Sequence, residues 1–127
     1  MAAKVTDLRS ALKMLEDMPG QLIETDVEVE PMAELSGVYR HIGAGGTVMR
    51  PTKEGPAMIF NNVKGHPGAR VAIGVLASRS RVGALLECDP KDLGKKLYHS
   101  VDNPILPVLS EEAAPCQEVV HKATDPD

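Results

Sequence analysis

The stretch "HIGAGGTVMRPTKEGPAMIF", His41 to Phe60, sets four glycines and two prolines around the start of an apolar run. Glycine-rich loops hold phosphates when backbone amides at the start of a helix converge on the anion. A dinucleotide fingerprint needs G-x-G-x-x-G between a strand and the helix after it; Gly43 and Gly45 fit, but the third position is Val48. The order of elements is also reversed. A helical pattern precedes the loop and a strand pattern follows, so the helix offers its carbonyl end, which repels anions. A Walker-type loop fails as well, because Thr52-Lys53-Glu54 stands where Gly-Lys-Ser or Gly-Lys-Thr is required. The favoured reading is a helix stop, a turn-rich connection and a strand start.

The other reactive side chains are dispersed. Glu24, Asp26 and Glu28 project from one strand face at i, i+2 and i+4, a pattern that suits acid and base work or calcium, although a solvated strand face is the favoured reading. His41, His66, His99 and His121 show no paired spacing such as H-x-x-x-H, so each reads as a surface residue or a cap. Ser36, Ser78, Ser80 and Ser110 lack a nucleophile-elbow context, and Cys88 near a helix end reads as packing. Cys88 and Cys116 form no CxxC pair, which fits a cytoplasmic protein with reduced thiols. "ASRSRV" brings Arg79 and Arg81 to a helix start, where amides could help hold an anion; a solvated helix entry is favoured. We therefore assign no catalytic, cofactor-binding or metal-ligating residue.

These positions hang on a simple series of elements. "TDLRSALKMLEDMPG" predicts a helix capped by Thr6, with Leu8, Ala11, Leu12 and Leu15 at helical spacing and Pro19-Gly20 as its stop. "QLIETDVEVE" alternates: Ile23, Thr25, Val27 and Val29 share one face, which predicts a half-buried strand. After Pro31, Leu35, Val38, Tyr39 and Ile42 return to helical spacing, with Gly43 expected just past the helix end. "PAMIFNNV" and "RVAIGVLAS" read as strands buried on both faces and central in a covered sheet. Ser78 or Ser80 can cap a helix carrying Val82, Leu85 and Leu86; Asp89 and Pro90 start another, with Leu93, Leu97 and Val101 on one face. The order is helix, strand, helix, strand, strand, helix, helix. From Asn103 the pattern fails: prolines recur, only Val119-Val120 could add a strand, and the segment reads as a linker. We expect a domain over 1–102 and an extended Pro-rich linker over 103–127. The fold class is α/β (mixed α+β), a small mixed sheet of about three to four strands covered by about four helices.

Composition narrows the partners. The net charge of −4 and scattered Lys and Arg argue against nucleic acid, and no apolar run is long enough to span a bilayer. One Phe, two Tyr and no Trp make the core aliphatic and leave no aromatic platform for bases or sugars.

Taken in order, "DLRSALKMLEDMPGQLIETDVEVEPMAELSGVYRHIG", "GPAMIFNNVKGHPGARVAIGVLASRSRVGALLECDPKDLGKKLYHS" and "PCQEVVHKATDPD" resemble the beginning of the UbiD family of decarboxylases. The most specific parts are the Gly-Gln-Leu strand start, the "GPAMIFNNVKG" strand and the "ASRSRV" helix entry. The longer connection "GAGGTVMRPTKEG" looks most like the branch acting on gallate and 4-hydroxybenzoate, the non-oxidative hydroxyarylic acid decarboxylases. The resemblance implies a carboxy-lyase that reversibly removes CO2 using prenylated FMN, with Mn2+ and K+. It further implies a homo-oligomer and a UbiX-type flavin prenyltransferase as cofactor supplier. In that family the catalytic residues and metal ligands follow this first domain, in a flavin-binding domain this chain lacks. The chain alone is thus expected to carry no cofactor and no activity. A free-standing module that binds a full-length decarboxylase is the alternative, and a small nucleotide-binding domain rests on the glycine loop alone.

Overall fold

Asp7 opens the first helix. Its carboxylate accepts the Ser10 amide at 2.8 Å while Ser10 Oγ accepts the Asp7 amide at 3.1 Å, a reciprocal capping box that satisfies amides the helix itself cannot. The cap is therefore Asp7 and not Thr6, whose own amide reaches the same Ser10 hydroxyl from outside the helix. The computed structural model describes residues 4–44, 54–110, 112 and 114–122. Its elements are α1 (Leu8–Glu16), β1 (Leu22–Thr25), α2 (Glu34–Ala44), β2 (Ala57–Phe60), β3 (Val71–Ile73), α3 (Arg79–Leu85) and α4 (Leu93–Asp102). Short 3-10 turns occupy Pro90–Asp92 and Pro115–Gln117. Their order is the one the periodicity predicts.

The three strands form one mixed sheet in the order β1-β2-β3. β1 and β2 run parallel because α2 carries the chain back between them; β2 and β3 run antiparallel because a turn with Gly65 and Gly68 at positive φ reverses it. All four residues of β2 are buried, as a central strand covered on both faces requires. Met58 and Phe60 join Val29 and Leu35 in the main core, with Val38, Tyr39, Val71 and Ile73 packed around them. Ile59 shares a groove with Leu12 of α1 on the opposite side. Helices thus cover both faces, α2 against β2 and α1 against β1 and α3.

Four expectations need correction. β3 lies at an edge and is half-buried, since a three-stranded sheet has one centre and β2 takes it. The alternation of the first strand breaks down after Thr25: Ile23 and Val27 are exposed at the open edge, and Val29 is buried through an isolated bridge to Val63. Gly43 lies inside α2, which continues to Ala44. Val119 and Val120 are exposed and belong to no strand.

Candidate functional site

Polar groups converge most densely where α3 begins. Ser78 has extended backbone and caps α3, its Oγ accepting the Arg81 amide at 3.3 Å. This sends the Arg81 side chain inward, where it is 2% exposed. Its Nη1 donates to Gln21 Oε1 at 3.0 Å and to the Gly55 carbonyl at 2.8 Å, and its Nη2 donates to the Gly74 carbonyl at 3.0 Å. Gln21 precedes β1, Gly55 precedes β2 and Gly74 follows β3, so one guanidinium gathers the same end of all three strands. A planar fork of five N–H groups can do this, whereas an ammonium could not. Arg81 Nε is buried without a hydrogen-bond partner among the described residues.

Beside it lies a second knot. Glu54 Oε1 accepts Ser78 Oγ at 2.8 Å and Oε2 accepts Ser80 Oγ at 2.9 Å, with the two hydroxyls 2.6 Å apart. The Ser78 hydroxyl above all, then that of Ser80, with the Arg79 amide and the Arg81 charge adding, hold the Glu54 carboxyl below its ordinary range. The anion at this helix start is therefore the protein's own carboxylate. The end of the glycine-rich stretch and "ASRSRV", each a candidate anion site by itself, satisfy one another.

The glycines do steric work. The Gly55 amide donates to the Gly43 carbonyl at 2.7 Å, and a Cβ on Gly55 would strike the Gly43 backbone. Gly74 has φ +78°, and a Cβ there would enter the Tyr39 ring. Among the positions weighed for phosphate binding, Gly45, Val48, Thr52 and Lys53 lie outside the described residues.

The other candidates stay apart. His41 sits on α2, His66 in the β2–β3 turn, His99 on α4 and His121 near the end, all exposed. Among the described residues no three His, Cys, Asp or Glu gather into a metal-binding group, so the donor set does not fit a resident Mn2+. Glu24 and Asp26 both accept from Asn61 Nδ2, at 3.3 and 3.0 Å, and Arg70 pairs with Glu24 at 3.5 Å; Glu28 is exposed. The Ser36 hydroxyl donates to the Ala33 carbonyl, and Ser110 bonds to Glu112 in the tail. Cys88 is half-buried, Cys116 is exposed, and both are free thiols. Ser78 is itself buried, and its neighbour Glu54 is a weak base because its carboxyl is depressed. Sequence reasoning missed Gln21, Gly55 and Gly74 as partners of Arg81, and Glu54 as partner of the serines.

Such an arrangement defines a structural α/β domain whose polar centre organises its own backbone. Residues 14–101 match the family described as the 3-octaprenyl-4-hydroxybenzoate carboxy-lyase N-terminal domain. The chain is 56% identical to the gallate decarboxylase of Lactiplantibacillus plantarum over 126 residues, 98% of this chain and 26% of that protein. Its fold is similar to the apo 3,4-dihydroxybenzoic acid decarboxylase of Enterobacter cloacae, with TM-score 0.75 and 56% identity over 84% of this chain and 22% of that one. It also resembles the vanillic acid decarboxylase of Sedimentibacter hydroxybenzoicus, with TM-score 0.61 and 31% identity over 96% of this chain and 26% of that one. The chain belongs to the UbiD N-terminal domain family. It spans about a quarter of the length of the gallate decarboxylase it matches. The most specific parts of the family resemblance contain Gln21, Gly55 and Arg81, and the Arg81 guanidinium ties them together.

Proposed function

We propose that this chain serves as the N-terminal domain of a carboxy-lyase that reversibly removes CO2 from hydroxylated aromatic acids such as gallate or 4-hydroxybenzoate. Residues 1–102 form the domain and 103–127 the linker toward a flavin-binding domain. Prenylated FMN, made by a UbiX-type prenyltransferase, supplies the electron sink for decarboxylation together with Mn2+ and K+, and all three bind outside this chain. The full enzyme is a cytoplasmic homo-oligomer, and these 127 residues are inactive alone. The observation that carries this reading is the likeness to gallate decarboxylase along nearly the whole chain.

The test is turnover. The purified chain, supplied with prenylated FMN, Mn2+ and K+, is expected to release no CO2 from gallate or 4-hydroxybenzoate. A chimera in which it replaces the matched quarter of the Lactiplantibacillus plantarum enzyme is expected to decarboxylate gallate. Turnover by the isolated chain, or a folded and cofactor-loaded chimera without turnover, contradicts the reading. Exposed apolar side chains on α4 favour one further role, a free-standing module that binds a full-length decarboxylase. Co-elution of the isolated chain with such an enzyme would support it.

A further inference from the structure

α4 carries Leu93, Leu97 and Val101 at i, i+4 and i+8, one stripe along one side. Leu93 is buried, but the stripe then runs out into solvent: Leu97 is exposed and Val101 is 77% exposed. Leu97 borders a 360 Å³ groove between α3 and α4 whose far wall is Leu76, 71% exposed. Leu76 borders a second apolar groove with Leu8, Leu85 and Leu86. Leu76 therefore joins two grooves into one apolar surface. Beyond α4 the chain continues with Ile105, Leu106, Val108 and Leu109, all exposed, Ile105 at 98%.

On the proposed function above, we infer that this surface, centred on Leu76, Leu97 and Val101, is where the remainder of a full-length hydroxyarylic acid decarboxylase packs against its N-terminal domain. Three observations select that occupant. About three quarters of the gallate decarboxylase has no counterpart in this chain. The chain leaves α4 at the outer end of the stripe, so residues that follow start beside this surface. The leaving segment is itself apolar and exposed at four positions. Another apolar groove, between β1 and α2, carries more charge: Glu24, Glu28 and Glu34, of which Glu24 already pairs with Arg70, against Arg79 and Asp7 on the inferred surface. Covering it would desolvate more ionised groups. Interfaces between domains of one chain run to roughly 600–1,500 Å² and are more polar than obligate interfaces, so the surface need not be wholly apolar.

The experiment uses single cysteines as reporters. Val101→Cys and Val27→Cys replace residues of similar exposure, 77% and 74%, one on the inferred surface and one at the acidic groove. Each is placed in the 127-residue chain and in the chimera with gallate decarboxylase, and alkylation by iodoacetamide is followed peptide by peptide so that Cys88 and Cys116 are read separately. The expected result is alkylation at least tenfold slower at position 101 in the chimera than in the isolated chain, with an unchanged rate at position 27. Equal rates at position 101, or protection at 27 instead, overturn the inference. So does a chimera that will not fold when the parent enzyme does, since the docking face then fails to match. A chimera that protects position 101 but does not turn over gallate contradicts the proposed function and leaves the surface standing.

Discussion

The ring of Tyr39 occupies the space that a side chain on residue 74 would need. The loop after β3 therefore passes this close to the Tyr39 ring of α2 with Gly74 offering no Cβ, and its φ of +78° suits glycine for a second reason. Gly74→Ala is expected to cost about 1–2 kcal/mol from the left-handed backbone and about 1–3 kcal/mol more from crowding. Gly65→Ala, with the same backbone sign and open space around it, should show only the first part. Urea denaturation of both variants checks this; equal losses would remove the crowding against Tyr39.

Arg81 holds three acceptors from three strand ends, so removing it leaves one buried and two part-buried acceptors without their donor. Arg81→Met keeps the bulk and should still destabilise by about 3 kcal/mol, roughly 1 kcal/mol for each abandoned acceptor. Arg81→Lys is expected to recover less than half of that, because one ammonium cannot span acceptors placed for a fork. The urea midpoints of the three proteins order the result, and a Lys variant as stable as the parent would show that charge alone suffices.

Glu54 gives stability a pH dependence. Its folded carboxyl lies below the ordinary value of 4.5, so the ionised form is the one the fold favours. That contribution is complete above 4.5 and is lost as pH falls from there through the lower folded value. Thermal melts of the parent and Glu54→Gln between neutral pH and about pH 3 should therefore converge as acid is added. A gap that widens toward acid would reverse the assignment.

The first helix depends on Asp7 for its start. Asp7→Ala is expected to cost about 1 kcal/mol, and Thr6→Ala to stay within roughly 0.5 kcal/mol of the parent. Chemical denaturation distinguishes them directly.

What was legible in the sequence was local. Ser78 announces α3 because a cap sits within three residues of the amide it serves, and strand and helix periods change at Pro and Gly. Asp89, expected to cap α4, instead caps the 3-10 turn Pro90–Asp92, and α4 starts after Asp92 with no side-chain cap. Arg81 reads as a solvated helix entry because nothing nearby marks it as buried; Gln21 is 60 residues away and Gly55 is 26. Glu54 looks like the residue that spoils a Walker loop until Ser78 and Ser80 close on it. Centre and edge are likewise indistinguishable in "AMIF" and "VAI", since an apolar run is compatible with either until strand order is known.

The Gly43–Gly55 hydrogen bond fastens the last turn of α2 to the residues just before β2, so the two ends of the connection between them are held together. Lengthening a segment whose ends are already joined costs little, roughly 0.6 kcal/mol for each doubling of its length. The connection is a natural port for grafting a peptide tag or a reporter into the domain.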